Sequence, residues 1–119
     1  MNVTYHNPGN LKHRSDVVVH NGVAWVAGAV PNDTGADFRS QVEQVLAELD
    51  RRLAMAGTDR SNLLSATIWL VDVNRDIAVF NEVWNSWVVP GRLPARAGVQ
   101  SALQVGAMVE VAVTAAVPG

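Results

Sequence analysis

The chain has 119 residues, 49 % of them hydrophobic, and a formal net charge of −2, which suits one globular domain covering residues 1–119. Its basic residues form no run longer than Arg51-Arg52, so neither nucleic acid nor an anionic membrane is expected as a partner. Cysteine is absent, which excludes disulfides, thiolate metal sites and cysteine nucleophiles. No signal-like N-terminus and no apolar run of ~18 residues is present, so we expect a cytoplasmic protein.

The first elements in chain order are strands. A short strand is predicted at Val3 to His6. Two apolar runs then flank Asn21-Gly22 between Val17 and Val26. Asn-Gly is the strongest local signal for a β-hairpin, because both turn residues tolerate a positive φ. Residues 17–26 are therefore predicted to form a hairpin.

A long amphipathic helix should follow. Residues 31–35 combine Pro, Asn, Asp, Thr and Gly, which is typical of a loop. From Asp37 onward, apolar residues recur at helical spacing, and Gly57 stands where a left-handed cap is expected. The residues of this stripe are Phe38, Val42, Val45, Leu46, Leu49, Leu53 and Ala56.

A strand and a second helix come next. Residues 63–71 are rich in branched and aromatic side chains, and both faces of the predicted strand are largely apolar. Residues 75–88 have an apolar stripe, and Pro90-Gly91 should end the helix. Trp84 and Trp87 fall one turn apart on this stripe, where we expect them to belong to the core.

Two closing strands are predicted at about Ala95 to Leu103 and Met108 to Val117, joined by a turn that contains Gly106. If they pair as an antiparallel hairpin, Arg96 and Glu110 come close together. Whether they share one face of the sheet depends on the strand register, which the sequence does not fix. These are the only charged residues inside the two closing strands. They could form a simple ion pair, or they could form a site.

The order of elements predicts an α+β fold in which two helices pack on one face of a mainly antiparallel six-stranded sheet. In the last strand, the row of alternate residues that includes Glu110 is too apolar for open water and too small for another helix layer. Another subunit is therefore expected against this face. The sequence predicts an obligate oligomer.

The chemistry of the charged pair suits a small acid. An arginine presents a planar fork that matches a carboxylate, and a nearby glutamate can hold a water molecule or move a proton. Arg96 and Glu110 together would therefore suit a small anionic substrate that is attacked by water.

Six short blocks, in order and at matching spacing over roughly residue 12 to the C-terminus, resemble the RidA/YjgF family. They are Gly22-Val-Ala-Trp-Val-Ala-Gly28-Ala-Val-Pro31, Gln41, Ala66-Thr-Ile-Trp-Leu-Val-Asp72, Phe80-Asn81, Pro94-Ala95-Arg96 and Val109-Glu110-Val111.

The resemblance implies a chorismate-mutase-like fold and a homotrimer with clefts between subunits. Known members of the family hydrolyse reactive enamines and imines, such as 2-iminobutanoate, to a 2-keto acid and ammonia. No cofactor and no metal are implied, because a protonated imine carbon is already electrophilic and needs only to be oriented with a water.

By position, the resemblance makes Arg96 the residue that binds the substrate carboxylate and Glu110 the residue near the attacking water. Asn81 and Gly28 match residues of the cleft. Asn81 could equally bond nearby backbone, and Gly28 could equally permit close strand packing or a bulge.

Three cleft positions depart from the best-known deaminases: Arg14 replaces a tyrosine, Ala27 a serine and Gly98 a cysteine. The turn before Glu110 is also one residue shorter than in those deaminases. A second guanidinium at Arg14 would favour a dicarboxylic or larger substrate, unless Arg14 is an ordinary solvated loop residue. His13 and His20 lack partners at ligand spacing and are interpreted as loop and hairpin residues.

Three functions remain open at this point. The first is hydrolytic deamination of an enamine or imine acid. The second is a non-catalytic trimer that binds or senses a small carboxylate. The third is a pathway-specific deaminase for a diacid, such as an aminomuconate-like compound.

Overall fold

A computed structural model describes all residues 1–119 and has a six-stranded sheet with two helices on one face. This confirms the predicted α+β class. The strands are β1 Val3–His6, β2 Val17–His20, β3 Val23–Ala29, β4 Leu63–Leu70, β5 Ala95–Gln100 and β6 Val109–Ala116; the helices are α1 Phe38–Met55 and α2 Val73–Trp87. A single 3₁₀ turn, Arg60–Asn62, precedes β4.

The hairpin of β2 and β3 is confirmed. The two strands pair antiparallel from Val17 opposite Val26 to His20 opposite Val23, with a two-residue turn between them. Both turn residues have a positive φ, 51° at Asn21 and 73° at Gly22, which is the geometry that an Asn-Gly turn favours. β1 adds to the outside of this hairpin, antiparallel to β2.

Both helices begin at a capping aspartate. The Asp37 carboxylate accepts a hydrogen bond from Ser40 N at 2.8 Å and begins α1, while Asp72 accepts one from Arg75 N at 3.1 Å and begins α2. Gly57, with φ of 83°, follows the end of α1, as predicted. Neither helix combines the length and apolarity that a membrane crossing requires.

The predicted hairpin of the two closing strands is wrong. The strand order is β1-β2-β3-β6-β4-β5, so β6 lies between β3 and β4, and β5 pairs in parallel with the other edge of β4. The chain order β4, α2, β5 explains this arrangement, because a helical crossover connects parallel neighbours. Residues 101–108 then carry the chain back across the width of β4 to the start of β6.

The core lies between the sheet and the two helices. One row of β6 is buried there, namely Val109, Val111, Val113 and Ala115, together with Phe80, Trp84 and Trp87 of α2. The core position predicted for the two tryptophans is confirmed. On the other sheet face, Glu110, Ala112 and Thr114 are half-buried and Trp25 is 47 % exposed. The expectation that another subunit covers this face stays a prediction.

Gln41 ties the loops at one end of the sheet to α1. Its side chain is fully buried, and its amide nitrogen donates to the carbonyls of Thr34, Ala36 and Gly106 at 3.0–3.2 Å. Its amide oxygen accepts a hydrogen bond from Met108 N at 2.8 Å. One side chain therefore fixes both the loop before α1 and the turn before β6.

Replacing Gln41 with Leu, which has a similar volume, should leave these partly buried backbone groups without this partner. We expect the free energy of unfolding to fall by about 2–4 kcal/mol, because four hydrogen bonds are lost and each partly desolvated group is left unsatisfied. Urea unfolding at matched protein concentration measures this loss. Gln44→Leu, on the same helix but at a less buried position, is the control, and equal effects of the two changes would contradict the role given to Gln41.

Candidate functional site

Arg96 lies on edge strand β5 and is held by side chains of α2. Its Nη2 donates to Asn81 Oδ1 at 2.6 Å, and its Cζ lies 5.4 Å from the centroid of the Phe80 ring and 5.6 Å from that of Trp84. Asn81 therefore contacts Arg96 directly and does not cap nearby backbone. We call these four residues the Arg96 half-site.

The Arg96 half-site is suited to an anion. Burial against the two aromatic rings lowers the pKa of Arg96 from its ordinary value, yet an arginine remains charged at neutral pH. The rings favour the cation and restrict its rotation. Asn81 accepts only one hydrogen bond from the guanidinium, so the remaining N–H groups can bind a carboxylate in a bidentate manner.

Glu110 projects from the helix-free face of β6, opposite Trp69 of β4. Its carboxylate lies against Gly28 of β3: a Cβ at residue 28 would overlap Oε2 and would lie 3.1 Å from Cδ. The register of β3 against β6 is irregular between Val26 and Ala29, which brings Gly28 to this contact. Both interpretations of Gly28, close packing and an irregular strand, are therefore correct. We call Glu110 and Gly28 the Glu110 half-site.

The expected proximity of Arg96 and Glu110 is wrong within one chain. Arg96 is in register with Ala66, whose side chain is buried under the helices, so Arg96 emerges on the helix-covered face. Glu110 emerges on the opposite face, with β4 between its strand and β5. The two residues also form no ion pair, so the simple salt bridge is excluded as well.

Arg14 is an exposed residue of the loop before β2, and it forms an ion pair. Its Nη1 lies 2.5 Å from Asp16 Oδ1, and both residues line a cleft of about 700 Å³ between α1 and the start of β2 and end of β3. We call this space the arginine cleft. Its charged and glycine lining comprises Arg14, Asp16, Gly28, Glu48, Arg51 and Arg52. Gly28 thus belongs both to this cleft and to the Glu110 half-site.

Asp16 is the centre of the charge cluster in the cleft. It is only 7 % exposed and faces three guanidinium groups, with Arg14 at 2.5 Å, Arg51 at 3.1 Å and Arg52 at 4.0 Å. Burial alone would raise the pKa of Asp16, but the hydrogen bonds from Arg14 and Arg51 and the charge of Arg52 outweigh it and lower that pKa. The carboxylate is therefore ionised at neutral pH.

Glu48 holds the two arginines of α1 in place. It accepts from Arg51 Nε and Nη2 at 2.9 and 2.6 Å and from Arg52 Nε at 2.7 Å. The hydrogen bond from Arg51 is the main cause that lowers the pKa of Glu48, and burial opposes it. Arg52, 5 % exposed, also donates to the Ala27 carbonyl at 2.8 Å and to that of Gly28 at 3.5 Å. This cluster therefore supports the irregular part of β3 that carries Gly28.

Sequence reasoning missed the partners in this cluster. The i, i+3, i+4 spacing of Glu48, Arg51 and Arg52 on a helix could have revealed their mutual pairing. Nothing local connects them to Asp16, which lies 35 residues away from Arg51 in the chain. Trp84 was assigned correctly to the core, but the position of Arg96 over the rings of Phe80 and Trp84 depends on the parallel pairing of β4 with β5, which was not predicted.

The fold and the two half-sites define an α+β protein in which an arginine–asparagine pair and a glutamate–glycine pair stand on opposite faces of one sheet. The profile described as Endoribonuclease L-PSP matches residues 4–117. The chain belongs to this family, the RidA/YjgF family, which confirms the resemblance seen in the sequence.

Similar proteins agree with this assignment. A RutC family protein of Haemophilus ducreyi is 39 % identical over 104 residues, which cover 87 % of this chain and 88 % of that protein. A rat protein named 2-iminobutanoate/2-iminopropanoate deaminase is 29 % identical over 111 residues, covering 87 % and 80 %. A YjgF family member from Neisseria meningitidis superposes with a TM-score of 0.91 at 36 % identity, covering 100 % of this chain and 98 % of that one.

The lowered pKa values predict acid sensitivity. The ordinary values of Asp16 and Glu48 are 3.8 and 4.5, and both are lower in the folded chain. Their contribution to stability is therefore present above about pH 4.5 and is lost as the pH falls through the folded values. Glu48→Gln should reduce the free energy of unfolding more at about pH 7 than at about pH 3.5 in urea titrations.

The exposed Glu43 on the same helix forms no ion pair and provides the matched control, Glu43→Gln. A Glu48→Gln variant whose loss of stability is the same at both pH values would show that the carboxylate contributes no ion-pair stability.

Proposed function

We propose that this protein hydrolyses a reactive enamine or imine carboxylic acid to a 2-keto acid and ammonia. The single observation that carries the proposal is the direct contact of Arg96 with Asn81, which leaves a charged, partly desolvated guanidinium facing solvent for a carboxylate. Relatives from rat and mouse that bear the name 2-iminobutanoate/2-iminopropanoate deaminase support this activity.

Arg96 binds the substrate carboxylate in this proposal. Phe80 and Trp84 hold the guanidinium plane from below, and Asn81 Oδ1 fixes its rotation about the long side chain. A preorganised fork loses little entropy when it binds a carboxylate, so the reactive carbon is held at a defined distance from Arg96.

Glu110 acts as the general base and general acid in this proposal. Water adds its oxygen to the iminium carbon, the C=N double bond becomes single, and Glu110 takes one water proton and passes it to the nitrogen. The C–N bond then breaks, the hydroxyl proton leaves through Glu110 to the departing ammonia, and the products are the keto acid and ammonium. No electron acceptor is needed, because the substrate carbon is at the oxidation level of a ketone throughout.

The site is assembled from two chains in this proposal. Arg96 and Glu110 stand on opposite faces of one sheet, so one chain cannot direct both at one small molecule. A homotrimer in which the β5 edge of one copy meets the helix-free face of the next would bring the Arg96 half-site of the first to the Glu110 half-site of the second.

The family description also contains the name endoribonuclease. We favour a small acid over RNA, because the Arg96 half-site offers one cation framed by two rings, and the chain carries a net charge of −2. Binding of RNA depends on several clustered phosphate contacts.

An assay coupled to threonine dehydratase tests the activity, because that enzyme releases the enamine and imine of 2-oxobutanoate in solution. Wild-type protein should speed the appearance of the keto acid, and Arg96→Lys should lose at least about tenfold of that acceleration, since lysine cannot present the planar fork. Arg39→Lys, a surface arginine of α1 that pairs with Glu82, is the matched control. If the protein binds 2-oxobutanoate but does not accelerate the reaction, the enzymatic proposal is wrong and the non-catalytic carboxylate-binding function is favoured.

Mixed oligomers test the two-chain site. Arg96→Ala and Glu110→Ala should each be inactive alone. When the two chains are unfolded together and refolded as a mixture, roughly a quarter of the clefts would combine an intact Arg96 with an intact Glu110 from the neighbouring copy. We expect that fraction of wild-type activity to return, whereas a mixture as inactive as its parts would rule out a site shared between chains.

A further inference from the structure

We infer that Arg52 is a positioning residue for the proposed reaction. It holds the backbone of Ala27 and Gly28 on the helix-covered face of the sheet, and this backbone in turn sets the place of the Glu110 carboxylate on the helix-free face. The inference rests on the proposed function, because Glu110 acts on the substrate there. It assigns a role to a side chain of α1 that contacts neither the substrate nor the reacting atoms.

The segment that Arg52 contacts is the irregular part of β3. Val26 pairs with Val113 of β6 and Ala29 pairs with Val111, so β3 takes three steps along the chain where β6 takes two. The extra residue makes a β-bulge, and a bulge bends its strand and changes the direction of nearby side chains. Regular strand pairing alone therefore does not fix the path of the chain between Val26 and Ala29.

Arg52 supplies a fixed partner for the backbone of this bulge. Its Nη1 donates to the Ala27 carbonyl at 2.8 Å and lies 3.5 Å from that of Gly28. It is the one residue whose side chain forms a hydrogen bond with β3. On the β2 side, Ala27 N donates to the Asp16 carbonyl at 3.0 Å. Without Arg52, the bulge would lose its only tie to α1 through a hydrogen bond.

The guanidinium of Arg52 is itself held in one orientation. The side chain is buried, its Nε donates to Glu48 at 2.7 Å, and its Nη2 lies 4.0 Å from Asp16 Oδ1. Buried ion pairs add little to stability on balance, because the cost of removing both charges from water offsets their attraction. The geometry that Arg52 imposes on β3 therefore explains a buried guanidinium here better than added stability does.

Gly28 transmits this support to Glu110. A Cβ at residue 28 would overlap Glu110 Oε2, so the carboxylate lies directly against the Gly28 backbone. Arg52 contacts the same segment from the opposite face. Movement of the bulge would therefore move the surface that supports the carboxylate. Misplacement of a reacting group by about 1 Å can lower a rate by about 100-fold.

Arg52→Met tests the inference, because methionine keeps an unbranched apolar side chain and removes every donor. In the coupled threonine dehydratase assay, we expect the acceleration of keto-acid release to fall at least about tenfold. The dissociation constant for 2-oxobutanoate, measured by calorimetry, should change by less than about twofold, because Arg96 still binds the carboxylate. A residue that only stabilised the fold would not separate these two quantities.

The Arg52→Met variant is expected to fold. Asp16 keeps Arg14 and Arg51 as partners, and Glu48 keeps Arg51. Arg52→Lys is the second variant and should lose roughly threefold of the acceleration or more, since an ammonium lacks the fork that binds Glu48 and a carbonyl at once. If Arg52→Met does not fold, Arg52→Lys decides the question by the same two measurements.

Thr58→Val is the matched control. Thr58 is also buried, and its hydroxyl donates to the carbonyl of Ala116, the last residue of β6, at 2.6 Å. Its loss should lower stability and leave the acceleration unchanged. Amide hydrogen exchange over residues 23–29 should become faster in Arg52→Met and stay as in the wild type in Thr58→Val.

Three outcomes would contradict the inference. Folded Arg52 variants as active as the wild type would overturn it and keep the proposed function. A loss of activity without faster exchange in β3 would also overturn it, because the loss would then not arise through the bulge. A wild-type protein that does not accelerate keto-acid release would overturn the proposed function and this inference together.

Discussion

The central position of β6 is the constraint on which the rest of this structure depends. It pairs with β3 on one side and with β4 on the other, and it turns its valine row into the core beneath both helices. Burial of each such side chain contributes about 1.5–3 kcal/mol, so the strand cannot shift register without a large loss. Gln41 fixes the start of the strand through Met108 N. Glu110 therefore projects from a strand that is held on both sides by its neighbours.

Arg96 is positioned in a different way. All six residues of β5 are exposed, and the strand is a parallel one at the edge of the sheet. Parallel strands are usually covered on both faces, and an open edge invites another chain. Side chains of α2, namely Phe80, Asn81 and Trp84, provide the rigidity that this edge does not. The exposed strand β5 and the half-buried apolar row of β6 are the two surfaces that the proposed homotrimer would bring together. Arg96 lies on the first of these surfaces and Glu110 on the second.

The sequence could predict the six strands and both helices, because each depends on local signals: Asn21-Gly22 in the hairpin, apolar residues at helical spacing in α1 and α2, and alternation in β6. It also indicates Arg96 and Glu110 as candidate site residues, since they interrupt apolar strands, and their roles stay a prediction. It could not predict how the closing strands pair. β5 could pair with β6 in a hairpin or with β4 through the α2 crossover, and no local signal decides between the two. The faces of Arg96 and Glu110 depend on that choice. The contacts of Asp16 with Arg51 and Arg52 were equally hidden, because Asp16 meets α1 only in the folded chain.

The arginine cleft is linked to the Glu110 half-site through Arg52. Arg52 carries part of the positive charge of the cleft and also donates to the carbonyls of Ala27 and Gly28, and the Glu110 carboxylate occupies the space that a side chain at residue 28 would need. A change at Arg52 would therefore alter the charge and displace the Glu110 half-site at the same time. Arg14 contacts neither carbonyl, and its loss leaves Asp16 with two cations. Residue 14 can thus change while the irregular part of β3 that carries Gly28 stays in place.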